Sequence, residues 1–232
     1  MMRLIKLELQ RINLRSYLIT TLILGFALLV FTYFVANVAQ VEQETEFMNY
    51  ENILRFSCVM SILLFGILSA VMYNNLVIKE YSGKRLALLF SYPVSRKKIF
   101  MAKVVIIFSL VFLSLLLCIG IPITIFLTTE SIIPIVSDTI TTDLLAETFR
   151  MIVVSVLFVS VIGVLAMGIG FTRKSITVTL ISALILSCIY GNIAISTSRN
   201  IFATISVLGV SLIAVVAVLT MLSNKINHME VD

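Results

Sequence analysis

Charged side chains are scarce in this chain of 232 residues, of which 12% are charged and 60% are apolar. Ordinary soluble domains carry about 25% charged residues. The shortage therefore excludes a typical soluble protein and predicts an all-α integral membrane protein.

Histidine and cysteine are almost as scarce. The single histidine is His228, so neither an HExxH zinc site nor a serine-histidine relay is expected within the apolar segments. The three cysteines, Cys58, Cys118 and Cys188, are odd in number and lack CxxC spacing. We predict no disulfide and no metal site, and we interpret these cysteines as small core hydrophobes.

Ionisable side chains and a nucleotide-binding loop are also missing. No Asp, Glu, Lys, Arg or His lies near the centre of a long apolar segment, which disfavours an ion-driven transporter, because such proteins usually keep carboxylates there. The phosphate-binding pattern GxxxxGK[ST] fails at Ser82-Gly83-Lys84-Arg85, because Ile78 and Arg85 replace its first glycine and its hydroxyl residue. We predict a chain that is not an enzyme and has no cofactor of its own.

What the sequence has in abundance is apolar runs. A hydrocarbon core requires about 20 apolar residues of helix, and six stretches are long enough to cross it: 17–38, 57–78, 104–127, 151–171, 176–195 and 201–222. They leave no room for a soluble catalytic domain, so residues 1–232 are predicted to form one membrane domain. Gly191-Asn192 is expected to break the fifth segment before it leaves the membrane.

The charges predict an orientation. With both termini inside, 14 of the 17 basic residues fall on the cytoplasmic side, and only Arg55, Arg150 and Arg199 lie outside. The outer loops are predicted to hold eight of the twelve acids, Glu42, Glu44, Glu46, Glu51, Glu130, Asp138, Asp143 and Glu147. Because the basic residues flank membrane segments, the net charge of +5 does not indicate nucleic-acid binding.

Two smaller patterns concern helix placement. Residues 1–16 carry apolar side chains at helical spacing among basic ones, which predicts an amphipathic helix in the inner interface. Small residues four apart, Gly66 with Ala70 and Ala166 with Gly170, are candidate faces for close helix packing.

The segment 79–103, between the second and third apolar runs, has seven basic residues and one acid. Leu86, Leu89 and Phe90 are expected in a short apolar helix that ends before Pro93, since the residue preceding a proline is biased away from helical geometry. Ser95 is placed to cap a new helix starting at Arg96.

This segment resembles the link between the second and third helices of ABC-2 type permeases, the membrane subunits of ABC exporters. The residues that carry the resemblance are Glu80, Leu88-Leu89-Phe90, Pro93-Val94-Ser95-Arg96, Ile99 and Lys103. The likeness extends to the layout of a basic amino-terminal helix and six crossings. Among small bacterial relatives, the chain looks most like lantibiotic-immunity and phenol-soluble-modulin exporter permeases.

The resemblance implies a bacterial cell-membrane complex of two permeases, either a homodimer or a heterodimer, with two copies of a separate ATPase that holds ATP and magnesium. Segment 79–103 would form a cytoplasmic coupling helix on the ATPase. There Leu86, Leu89, Phe90 and Pro93 would fill a groove, with Glu80 and Arg96 as its polar rim.

The cargo is less defined. A path of aliphatic and hydroxyl residues without buried charge suggests an apolar or amphipathic substrate, and the likeness to toxin exporters favours a peptide. The alternative is a membrane sensor or a sequestering immunity protein that transports nothing, and an ATPase bound to the chain would separate the two.

Overall fold

The computed structural model describes residues 8–9, 14–42, 49–81, 96–136, 138–198 and 200–227. These residues form six long helices: α1 Leu14–Glu42, α2 Tyr50–Tyr73, α3 Arg96–Ile132, α4 Thr142–Arg173, α5 Ile176–Thr197 and α6 Ile201–Asn227. A π-helical segment, Asn74–Ile78, continues α2. There is no strand in the described ranges.

All six helices are long and apolar enough to cross a membrane. The prediction of an all-helical chain with six helices able to cross a membrane is thus confirmed. Most of the predicted interfacial helix lies outside the described ranges. Almost all of the predicted coupling helix lies outside them as well.

The helices are longer than the predicted crossings. For example, α4 begins at Thr142 and α2 at Tyr50, ahead of the predicted starts at 151 and 57. As a result, five of the eight acids predicted in the outer loops lie within helices, and their prediction as loop residues was wrong: Glu42, Glu51, Glu130, Asp143 and Glu147. A helix satisfies its own backbone hydrogen bonds, so it continues past the apolar stretch that the hydrocarbon core requires.

The expected break at Gly191-Asn192 was also wrong, because α5 continues to Thr197. The amide of Asn192 donates to the backbone oxygen of Cys188 at 2.8 Å, so this polar side chain is satisfied along its own helix. Gly191 packs against Val59 of α2.

Helices α2 and α4 form the centre of the bundle and are the most buried. Helix α5 packs against both of them, α1 packs mainly on α3, and α6 lies on α4 and α3 with most of its surface exposed. The largest side chains of the core include Phe65, Phe100, Phe126 and Phe158.

The two ends of the bundle differ in charge. We name the end with residues 79–81, Lys97, Lys103 and Lys174 the basic end, and the end with Glu51, Glu130, Asp138 and Glu147 the acidic end. At the basic end, Lys174 adopts a left-handed conformation with φ of 49°, which terminates α4 and allows the tight turn into α5.

Candidate functional site

The base of segment 79–103 is a buried ion-pair cluster at the basic end. The ammonium of Lys103 in α3 binds the carboxylate of Glu80, which follows the π-helical segment, and lies 3.3 Å from Oε2 of Glu8. It also donates to the backbone oxygen of Leu76 at 3.4 Å. Three parts of the chain therefore meet at one lysine.

The side chains of this cluster are largely buried. The side chain of Lys103 is 4% exposed, and those of Glu80 and Glu8 are 13% and 16% exposed. A buried ammonium is tolerated only when it is paired and hydrogen-bonded. Because Glu80 and Lys103 lie near opposite ends of segment 79–103, their ion pair holds the two ends of that segment together.

Tyr81 anchors the same base through its ring. It is buried between Phe100 of α3 and Phe171 of α4, with ring centroids 6.2 Å and 5.7 Å away. Burial, with the charges of Glu80 and Glu8, raises the pKa of the Tyr81 phenol above its ordinary value. Its hydroxyl has no hydrogen-bond partner among the described residues.

The backbone changes character just before this cluster. In the π-helical segment Asn74–Ile78, the amide of Lys79 bonds the oxygen of Asn74, five residues earlier, at 3.0 Å. Such widened turns are frequent at functional sites. Here the widened turn connects the centre of the bundle to Glu80 and Tyr81.

The predicted ATPase-contact residues are only partly visible. Leu86, Leu89, Phe90 and Pro93 lie outside the described residues, and so does the side chain of Arg96, whose backbone begins α3. Glu80 binds Lys103, a pairing that sequence reasoning missed. The available signal was that Glu80 is the single acid among the seven basic residues of the segment.

The four predicted packing residues lie inside the bundle. Ala70 and Ala166 are fully buried. A Cβ added to Gly66 would lie 2.2 Å from Oγ of Ser187, and one added to Gly170 would lie 1.8 Å from Oγ1 of Thr179. Both glycines therefore allow close approach of α5.

Gly163 in α4 also allows close helix packing, and the sequence analysis did not predict it. An added Cβ there would lie 2.0 Å from Oγ of Ser69 in α2. The signal was its spacing of seven residues from Gly170, which places both glycines on one side of α4.

The acidic end contains a second arrangement that the sequence did not reveal. Arg55 of α2 and Arg150 of α4 line one small, partly open cleft. Arg55 pairs with Glu51, and Arg150 donates to the backbone oxygen of Ser198 at 2.5 Å. The available signal was that few basic residues occur at this end.

At the same end of the bundle, the buried Glu130 holds the loop that follows α3. Glu130 accepts hydrogen bonds from the Tyr50 hydroxyl at 2.9 Å and from the backbone amides of Ile135 and Val136 at 2.9 Å and 3.2 Å. Asp138 accepts from the Tyr50 amide at 3.1 Å. These carboxylates fix the turn between α3 and α4 onto the start of α2.

Metal-binding side chains are not assembled in the parts of the chain that the structure describes, where no group of three His, Cys, Asp or Glu could hold an ion. Cys58 and Cys118 are buried free thiols, as expected for core residues, whereas Cys188 is exposed on α5. A core position for Cys188 was therefore wrong.

The chain is similar to the uncharacterized protein YcbO of Bacillus subtilis strain 168. The two are 24% identical over 185 residues, which cover 80% of this chain and 81% of the relative. No protein-family model matches the chain. No solved structure matches it either.

Proposed function

We propose that this chain is the membrane-spanning permease subunit of an ATP-driven ABC exporter in the bacterial cell membrane. Its termini and the basic end would lie in the cytoplasm. Two permeases, identical or related, would pair in the lipid bilayer and bind two copies of a separate ATPase, which supplies ATP and magnesium. The cargo would be apolar or amphipathic, and the resemblance favours a toxin or antimicrobial peptide.

The observation that carries the proposal is the buried base of segment 79–103. A segment that transmits force from an ATPase needs a firm attachment to the helices it moves. The Lys103 cluster supplies one, because it joins Glu80, which follows α2, to α3 and to Glu8. Movement of the segment would therefore reach α2 and α3 together.

The membrane interior supports the same reading. The central helices α2 and α4 bury hydroxyl and small side chains, including Ser61, Ser69 and Gly163, and no charged residue lies near their centres. Such an interior lacks the ionisable groups of an ion-driven carrier. The energy for transport would then have to come from a partner protein.

Co-purification from the native membrane tests the proposal directly. The tagged chain, extracted in mild detergent, should retain a nucleotide-binding ATPase that mass spectrometry identifies. Leu89→Asp and Arg96→Glu should each remove the ATPase and abolish transport. Lys98→Glu is the matched control: it makes the same charge change on an exposed side chain two residues along α3, about 200° around the helix.

Retention of the ATPase and of transport by both Leu89→Asp and Arg96→Glu would overturn the role of the segment. If the wild-type chain recovers no ATPase while other membrane complexes stay intact, the sensor or sequestering alternative is favoured. If a complex is purified, its rate of ATP hydrolysis should increase when the true cargo is added. A flat response across lipid, drug and peptide panels would contradict an exporter.

A further inference from the structure

The cleft at the acidic end gathers basic residues where the chain has few. Beyond the basic residues of the other end, the sequence has Arg55, Arg150 and Arg199. The first two line the cleft. We propose that this cleft binds the phosphate headgroup of an anionic phospholipid.

Both guanidinium groups have N–H donors that these contacts do not use. Arg55 donates to Asn52 at 3.3 Å and pairs with Glu51, but its buried Nε has no partner among the described residues. Arg150 uses Nη2 for the Ser198 oxygen and for Glu147 at 3.5 Å. A guanidinium has five N–H donors in a planar fork that matches phosphate oxygens.

The acids beside these arginines leave room for an anion. Glu51 and Glu147 lie four and three residues before their arginines, so each acid is one turn nearer the acidic end of its helix. Neither acid lines the cleft, whereas both arginines do. The cleft therefore presents guanidinium groups, with the carboxylates outside it.

The depth of the cleft fits a headgroup. The span Tyr50–Ile78 has 29 residues and is about 43 Å long, against a hydrocarbon core of about 30 Å. In a bilayer centred on this span, each end would extend about 6–7 Å into the headgroup layer, and Arg55 lies about 7.5 Å along the helix from Tyr50. That position would be at the boundary between headgroups and acyl chains.

The lining becomes mostly apolar with depth, and Ser155 is the hydroxyl side chain that lies deeper than Arg150. Cys58 and Val59 lie about one turn deeper than Arg55, and Val154 lies about one turn deeper than Arg150. On α5, Ala194 lies one turn deeper than Ser198. A phosphate at the arginines would place the start of an acyl chain against these apolar side chains.

The inference does not depend on transport or on an ATPase, because it concerns lipid binding by the chain itself. The experiment uses the purified full chain in micelles containing equal amounts of phosphatidylglycerol and phosphatidylcholine, with native mass spectrometry of the retained lipid. The wild-type chain should retain phosphatidylglycerol in preference to phosphatidylcholine. Arg55→Gln/Arg150→Gln should bind phosphatidylglycerol at least about tenfold more weakly, as expected for the loss of charge-assisted hydrogen bonds.

The control is Lys98→Gln/Arg173→Gln, which removes the same charge from exposed side chains at the basic end and should leave binding unchanged. Ala194→Phe keeps both arginines but fills the apolar floor, so it should also weaken binding, and it decides the question if the arginine variant misfolds. Equal retention of the two lipids by the wild type would overturn the proposal, as would unchanged binding by a folded arginine variant or by Ala194→Phe. Displacement of the lipid by an equal concentration of inorganic phosphate would assign the cleft to free phosphate and would equally overturn it.

Discussion

At the scale of single residues, Lys103 is one of the buried charges that the structure describes. Its side chain is 4% exposed and has two carboxylate neighbours, Glu80 and Glu8. Removing one member of a buried ion pair leaves the others uncompensated in a medium of low dielectric constant. The stability of the basic end should therefore depend on this lysine far more than on exposed lysines nearby.

We predict that Lys103→Gln lowers the free energy of unfolding by about 3–5 kcal/mol. Lys98→Gln, which removes an exposed charge from the same helix, should change it by less than about 0.5 kcal/mol. Reversible unfolding of the purified chain in mixed detergent and SDS micelles measures both. Adding Glu80→Gln to Lys103→Gln should restore part of the loss, and equal losses for Lys103→Gln and Lys98→Gln would show that the cluster is not stabilising.

Tyr81 gives a prediction of pH dependence. Its pKa is raised in the folded chain by burial and by Glu80 and Glu8. In the unfolded chain the phenol ionises near its ordinary pKa of about 10. Below about pH 10 the phenol is neutral in both states and does not lower the free energy of unfolding. As the pH rises further, the free energy of unfolding falls, because the unfolded state releases the proton and the folded state keeps it.

Tyr81→Phe should remove that loss, so the stability of the variant should decline less steeply than that of the wild type above about pH 10. At pH 7 the substitution should cost no more than about 1 kcal/mol, because the buried hydroxyl has no partner among the described residues. Unfolding curves at pH 7 and above pH 10 test both statements. Parallel pH profiles for the two proteins would contradict the assignment to Tyr81.

At the scale of the elements, the contact between α4 and α5 depends on a glycine. A Cβ on Gly170 would meet both Oγ1 and Cβ of Thr179, the latter at 2.8 Å. The Cβ of a β-branched threonine cannot move away by rotating its side chain, so the helices themselves would have to separate. Small residues have this role in membrane helix packing because they allow backbones to approach.

Gly170→Ala should therefore lower the free energy of unfolding by about 1–3 kcal/mol through overpacking. Gly209→Ala is the matched control, because a Cβ at Gly209 meets no atom within 4 Å. It should be neutral or stabilising by up to about 1 kcal/mol, since alanine favours helix over glycine. Unfolding in mixed micelles compares them, and a similar cost for both would mean that helix propensity rather than packing sets the effect.

At the scale of the whole molecule, the separation of charge between the two ends predicts the orientation. The basic end should face the cytoplasm and the acidic end the exterior. Lys98 is exposed near the start of α3, and Ile140 is exposed in the loop after α3. The two positions report on opposite ends of the bundle.

Single cysteines at these positions test the orientation. In a background of Cys58→Ala, Cys118→Ala and Cys188→Ala, a membrane-impermeant maleimide added to intact cells should label Ile140→Cys. Lys98→Cys should be labelled only after the membrane is permeabilised. The reverse pattern would overturn the orientation, and with it the proposed cytoplasmic contact of segment 79–103.

The sequence predicted those features of the fold that depend on the solvent around the chain, such as the long apolar helices. Apolar runs of about 20 residues are required wherever a helix crosses hydrocarbon, so the six long helices could be predicted from the sequence alone. The packing positions Gly66 and Gly170 could be predicted from the spacing of small residues. Helix ends were harder to predict. The apolar run marks only the stretch that hydrocarbon requires, whereas the observed helices α2 and α4 begin before it and include Glu51 and Glu147.

The sequence by itself determined that this is an all-helical chain with six helices able to cross a membrane, because the hydrocarbon interior constrains length and polarity residue by residue. Only the tertiary structure decided which charges meet. Glu80 and Lys103 are 23 residues apart, and Arg55 and Arg150 are 95 residues apart, yet each pair shares one location. Contacts between residues so far apart in sequence depend on how the helices pack against one another, and a local sequence pattern contains no information about that packing.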